Sequence, residues 1–205
     1  EIPEGWDVHS AGEFIRVIRG VSYNPEDISE EAKEGYVPLV KSNNLQNGHV
    51  DFCNPIYVPR NIVDETQYLN NNSIFVTMSS GSINHVGKTA IIPFDSGYCY
   101  GAFCSKIELN PKYRCLLSMY FTSDFFKRII HTIVVGTSIK NINNIHLTNN
   151  YLALPNNDVL IHDFESRINP ILDKLGVIIL ENKQLTELRD FLLPMLMNGQ
   201  IKIDP

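Results

Sequence analysis

The chain has 205 residues, 43% of them hydrophobic and 20% charged, which is enough for one sizeable core or for one domain plus an appendage. No apolar run approaches the roughly 18 residues that a membrane crossing needs, and Glu1-Ile2-Pro3-Glu4 lacks the basic and apolar regions of a secretory leader. The net charge is −6, and Cys53, Cys99, Cys104 and Cys115 form neither a CxxC pair nor a disulfide framework, so reduced, mostly buried thiols and a cytoplasmic setting are expected.

The predicted elements run as follows. Ile2 to Trp6 carries turn chemistry, and Gly12 to Gly20 alternates around Phe14, Val17 and Ile18 as a short strand would. Tyr23 to Gly35 is acidic and turn-rich, an exposed loop or short helix. Compact apolar strings follow at Tyr36–Val40, Ile56–Val58, Ser73–Met78, Ala90–Pro93 and Cys104–Leu109, each bounded by Asn, Gly, Pro or Ser, the signature of strands. Leu116 to Ile133 reads as one helix with Leu117, Tyr120, Phe121, Phe125 and Ile129 on a shared face. Asn141 to Asn150 is polar, and Tyr151 to Pro155 is a last strand or extended entry.

From Val159 to Leu192 apolar residues recur in steps of three and four: Ile161, Phe164, Ile168, Ile171, Leu175, Ile178, Leu185 and Leu192. That is a heptad seam, which keeps one stripe of a helix facing a partner helix. Asn182 and Arg189 fall on seam positions, where polar residues fix register. Pro170 and Gly176 interrupt helical propensity, but the seam keeps its phase across both, so one kinked helix is expected. Phe164, Ile168, Ile171, Leu175, Ile178 and Leu185 are the candidate dimerisation residues. An arm folded back on its own domain is the alternative. The expected class is α+β: a domain of mixed strands and helices over residues 1–155, a helical arm over 156–197 and a tail over 198–205.

Charge is uneven along the chain. Residues 1–35 hold nine acids against three bases, residues 36–155 nine bases against six acids, and residues 156–205 eight acids against five bases. The mildly basic centre suits phosphate, although its field is weak.

Motifs for catalysis are wanting. Gly87-Lys88-Thr89 ends like a phosphate-binding loop, but Gly81 stands one residue too early and a strand-like Ala90-Ile91-Ile92-Pro93 follows where a helix is required. Asn54-Pro55-Ile56-Tyr57 resembles the Asn-Pro-Pro-Tyr/Phe tetrapeptide of amino-methyltransferases without its second proline, and reads better as a turn. The six histidines have no metal-ligand spacing, and there is no G-x-S-x-G elbow. No metal or cofactor is expected.

Three loops of the basic centre share another composition: Ser, Thr, Asn, Gln and Gly around an isolated lysine. Such side chains donate and accept at base edges, and glycine lets backbone approach phosphate. The candidate DNA-binding residues are Lys41, Asn43, Asn44 and Gln46 within Lys41–Asn47; Ser79, Ser80, Ser82, Asn84 and Lys88 within Met78–Lys88; and Ser138, Lys140 and Asn141 within Gly136–Asn143. Lys41, Lys88 and Lys140 are the phosphate or guanine contacts.

These loops and the arm together resemble the DNA-specificity subunits of type I restriction–modification systems. The likeness runs from Pro3-x-Gly5-Trp6 through Gly35-Tyr36-Val37-Pro38-Leu39-Val40, Ile74-Phe75-Val76-Thr77-Met78 and Gly136-Thr137-Ser138-Ile139-Lys140 to Leu152-x-Leu154-Pro155. Its most specific part is Glu181-Asn182, Leu185, Leu188-Arg189-Asp190, Leu192-Leu193-Pro194 and Leu196-Met197-Asn198-Gly199. The resemblance implies a non-catalytic subunit that reads a half-site of double-stranded DNA. Its helical spacer would pair antiparallel with a second spacer, and separate modification and restriction subunits would carry the chemistry. The family usually has two recognition domains and two spacers, so a half-subunit that self-pairs, or half of a longer chain, is expected; Glu1 in place of Met points to a missing start. Asn72-Ser73 stands where the family has Gly-Asp. The rival readings are the recognition domain of a fused restriction–methylation enzyme, a hydrolase using Ser82 and His85, and a coiled-coil protein scaffold.

Overall fold

The structure is a computed structural model that describes residues 2–46, 48–135 and 141–200. In chain order its elements are β1 (Trp6–Ser10), β2 (Ile15–Arg19), β3 (Tyr36–Val40), β4 (Leu45–Gln46), β5 (His49–Val50), β6 (Ile56–Pro59), β7 (Ser73–Thr77), β8 (Thr89–Ile92), β9 (Cys99–Tyr100), β10 (Cys104–Leu109), α1 (Arg114–Thr122), α2 (Asp124–Val135), α3 (Asn144–Thr148), β11 (Tyr151–Pro155) and α4 (Asp158–Met197). The class is α+β with a long C-terminal helix, as the pattern predicts.

The centre is an antiparallel sheet ordered β2-β10-β7-β8. All five residues of β7 are buried, which explains its continuous apolar and β-branched sequence. Strand alternation then splits the core: Ile74 and Val76 face a cluster with Leu117, Phe121, Phe126 and Ile130, and Phe75 faces a second with Leu45, Phe52, Ile92 and Tyr100. A smaller sheet, β6-β3-β9, carries a third cluster around Leu39 and Val58.

Three expectations need correcting. Trp6–Ser10 is a strand, paired antiparallel with β11 from Trp6 opposite Pro155 to Ser10 opposite Tyr151. None of its residues is buried, so no apolar alternation announces it. The helix expected over Leu116–Ile133 is two helices broken at Ser123. The Ser123 hydroxyl donates to the Tyr120 carbonyl at 2.7 Å and accepts from the Phe126 N–H at 3.2 Å, ending one helix and starting the next. The break rotates the second half, so that Phe126, Ile130 and Val134 are buried while Phe125 faces out. Lastly, polar Asn141–Asn150 contains α3, which the Asn143 side chain caps and Leu147 pins to the core.

α4 is one continuous helix of 40 residues, about 60 Å long at 1.5 Å per residue, with Pro170 and Pro194 inside it. The Asn157 carbonyl oxygen of its side chain accepts from Val159 N and Leu160 N. Its first half does fold back on the domain: Ile161, Glu165, Leu172 and Gly176 are buried, and Ile179 packs on the second cluster. The sequence-level alternative is therefore correct for this half. At Gly176 a Cβ would stand 2.8 Å from the Pro93 carbonyl oxygen, so the helix needs glycine to come this close. Among the described residues no helix is long and apolar enough to cross a membrane.

Candidate nucleic-acid interface

The loop from Met78 to Lys88 is fixed at both ends. Met78 N and Ser79 N both donate to the Phe103 carbonyl, at 2.9 and 3.1 Å, and Ile142 N donates to the Met78 carbonyl at 2.9 Å. Ser79 forms a bridge with Asn141, so two of the three predicted loops meet here. At the far end Gly87, at φ +77°, packs under Ile130 of α2 where a Cβ would collide with the isoleucine side chain. Lys88 Nζ lies 3.3 Å from His85 Nδ1, and the residue is half-buried. Thr89 enters β8 and donates its hydroxyl to the Phe121 carbonyl, so Gly87-Lys88-Thr89 leads into a strand and offers phosphate no helix N-terminus.

Two open cavities flank this loop. The first, of about 580 Å³, is lined by Arg19, Ser79, Phe103, Ser105, Asn141 and Asn143 among others. The second, of about 410 Å³, brings Asn84 and Lys88 together with Gly48, Lys127 and His131. Lys127 is held 2.9 Å from Asp124, whose carboxyl lies below the usual carboxylate range because of this lysine. Ser80 and Ser82 lie on the loop between them, where Ser82 N donates to the Ser80 hydroxyl. Ser138 and Lys140 lie outside the described residues, as does Asn47.

The first predicted loop lines neither cavity except through Gly48. Asn44 spends its side chain on the fold: Oδ1 accepts from Lys41 N at 2.9 Å and Nδ2 donates to the Asp51 carbonyl at 3.1 Å. Gln46 Nε2 donates to the Asn43 carbonyl at 3.2 Å, and Lys41 is half-buried. Asn43 is exposed. Conversely, Arg19, Phe103, Asn143, Lys127 and His131 line the cavities and were not among the predicted residues. The sign in the sequence was Gly101-Ala102-Phe103, a bulky aromatic in a glycine turn between two short apolar strings.

Residues 3–190 match the type I restriction modification DNA specificity domain. The chain belongs to that family. Among curated relatives, it is 34% identical over 145 residues to the EcoKI specificity subunit of Escherichia coli, covering 69% of this chain and 31% of the relative. It is 33% identical over 148 residues to the StySPI specificity subunit of Salmonella potsdam, with the same coverage. The MjaIX specificity subunit of Methanocaldococcus jannaschii matches over 100% of this chain and 46% of its own length, at 28% identity. The fold resembles the HsdS subunit from Thermoanaerobacter tengcongensis, with TM-score 0.56 and 16% identity over 98% of this chain and 47% of that one. It also resembles the S subunit from M. genitalium, with TM-score 0.54 and 17% identity over 93% and 45%. The chain thus spans about a third to a half of the length of these relatives.

In this specificity-family chain α4 has two faces. Of the predicted seam, Ile161 is spent on the domain, and Phe164 and Ile168 are half-buried. Phe164 lines an apolar groove of about 510 Å³ with Trp6, Met119 and Phe125. Ile171, Leu175, Ile178 and Leu185 remain exposed, at 61, 39, 42 and 63%. Glu165, one turn after Ile161, turns inward, and its carboxylate accepts from Cys115 N and Leu116 N at 2.8 and 3.0 Å, capping α1. Arg114 Nη1 donates to Asn169 and to Asp173, and Lys112 pairs with Asp158.

Proposed function

We propose that this chain is the DNA-reading part of a type I restriction–modification complex. Residues 1–155 act as its target-recognition domain, residues 156–197 as its spacer, and residues 198–205 as a tail. The recognition domain reads one half-site of double-stranded DNA through the Met78–Lys88 loop and the two cavities. Ser79, Asn141 and Arg19 face bases from one, and Asn84 and Lys88 meet bases or phosphate from the other. Asn43, Ser80, Ser82 and, from the neighbouring stretch, Ser138 and Lys140 complete the contact. The exposed seam pairs with the spacer of a second recognition half, here a second copy of the chain. Modification and restriction subunits dock on the pair and supply catalysis, and this chain alone binds no S-adenosylmethionine or nucleotide. It works in the cytoplasm.

The observation that carries this reading is the double-ended loop. A single segment presents hydroxyl, amide and ammonium groups at two open cavities, which are the groups that contact base edges and backbone. The test is selection of duplexes from a random library by the purified chain. A self-paired chain should enrich a palindrome of two short half-sites with an unread spacer, about one helical turn or more between centres. Enrichment of no sequence would refute the reading. Enrichment of a single continuous site would refute self-pairing alone.

A further inference from the structure

Phe103 is 67% exposed, yet hydrogen bonds hold its backbone and that of its neighbours. Its carbonyl accepts from Met78 N and Ser79 N. On its flanks, Cys104 N donates to the Gly101 carbonyl at 2.9 Å and Arg19 Nε to the Ala102 carbonyl at 3.2 Å. Gly20 lies so close to the carbonyls of Tyr100 and Gly101 that a Cβ there would overlap both. The turn is therefore locked on two sides, while the ring has no aromatic partner among the described residues. A rigid turn that holds a phenyl ring in water forgoes the burial such a ring would favour.

The ring stands at the 580 Å³ cavity, a volume in the range of ligand sites. Arg19, Ser79, Asn141, Asn143 and Asn144 line the same space. So does Ser105, 1% exposed, whose hydroxyl has no hydrogen-bond partner among the described residues. An aromatic face beside convergent donors and acceptors is the chemistry of a nucleobase: stacking on one side, hydrogen bonds at the edge.

We infer that this cavity is a nucleobase site, in which Phe103 stacks on one base of the half-site while Arg19, Ser79, Asn141 and Asn143 contact its edge. The inference rests on the DNA-reading function proposed above and deepens it. A base stacked on Phe103 has given up one of its neighbours, so the duplex is opened at that step. Phe103 is sequence-tolerant in itself, because every base has a π-face; the polar wall supplies the preference.

The test uses a duplex selected by the wild-type chain, so that failure of selection speaks against the DNA-reading function and not against this site. Phe103→Ala should weaken binding to that duplex about tenfold. It should leave the slope of affinity against salt unchanged, because no phosphate contact is lost. Phe103→Trp, made with Trp6→Phe so that it carries the one indole, should restore affinity, and its fluorescence should be quenched on binding. 2-Aminopurine scanned through the half-site should brighten at one position with the wild type and not with Phe103→Ala. Unchanged affinity with Phe103→Ala, or an indole whose emission ignores DNA, would overturn the site. Loss of assembly with the modification subunits at unchanged DNA affinity would also overturn it, and would mark Phe103 as a protein contact.

Discussion

Glu165 joins the arm to the domain through two hydrogen bonds, and its removal should be costly. The residue is 7% exposed, and its carboxylate accepts from Cys115 N at 2.8 Å and Leu116 N at 3.0 Å. Both donors sit in the first turn of α1, where no intrahelical carbonyl can reach them. A hydrogen bond to a charged group contributes about 1.5–3 kcal/mol, and a partly buried anion at a helix N-terminus adds up to about 2 kcal/mol. Relief of the desolvation of a buried carboxylate offsets part of this, leaving a net loss of about 2–4 kcal/mol for Glu165→Ala. At about 2–4 °C per kcal/mol for a chain of this size, the melting temperature should fall by roughly 4–16 °C. Glu165→Gln keeps one acceptor oxygen but turns an amide N–H toward the other donor, so its loss should be a large part of the alanine value. Urea unfolding followed by Trp6 fluorescence and by far-UV circular dichroism measures both variants. Protein concentration must be held fixed, because pairing raises apparent stability with concentration. Both variants within about 0.5 kcal/mol of the wild type, the level of an ordinary surface change, would refute the capping role.

Ile171→Asp with Ile178→Asp should convert a self-associating chain to a monomer in sedimentation while its thermal unfolding stays cooperative, since both positions are exposed; a wild type that is monomeric at micromolar concentration would refute the pairing. Gly176→Ala should destabilise by about 1–3 kcal/mol, because its Cβ would meet the Pro93 carbonyl oxygen at 2.8 Å; an unchanged melting temperature would mean that α4 shifts freely. Lys88→Ala should weaken binding to all duplexes alike and reduce the salt slope by about one; an unaltered slope would remove Lys88 from the phosphate contacts.

Elements with a period of their own were legible in the sequence. β7 reads as a buried strand because Ile74-Phe75-Val76 is apolar without a break, and α4 reads as a helix because its heptads persist. What failed were features that depend on a distant partner. β1 becomes a strand only through β11, and its unburied side chains carry no trace of that. The Ser123 break depends on one hydroxyl choosing backbone over solvent. The inward face of α4 was hidden because one of its buried residues is a glutamate and another a glycine, the residue types that signal an outer face or a break. The interface shows the same division. Composition singles out Ser79, Asn84, Lys88 and Asn141 as candidates, and the structure places each at a cavity. Arg19 and Phe103 come from a strand end and a turn between strands, and only the sheet order β2-β10-β7 sets them beside Ser79.

The two faces of α4 are interleaved along one rod. Leu172, Gly176 and Ile179 lie against the domain, while Ile171, Leu175 and Ile178, each one residue earlier, point away from it. One residue is about 100° of helical rotation, so the buried stripe fixes the direction in which the exposed stripe points relative to the cavities. The glycine contact at Pro93 and the Glu165 cap also prevent the rod from sliding or rolling on the domain. If two such rods pair through their seams, the separation of the recognition domains is then set by the pairing register alone. A register change of one heptad displaces the domains by about 10 Å, at 1.5 Å per residue. Along DNA that is about three base pairs. On the proposed reading, the spacer of a bipartite target would be written in which seam residues face each other, and the half-site in the loops at the cavities. The attachment of α4 through Gly176 and Glu165 would then keep the two specifications independent.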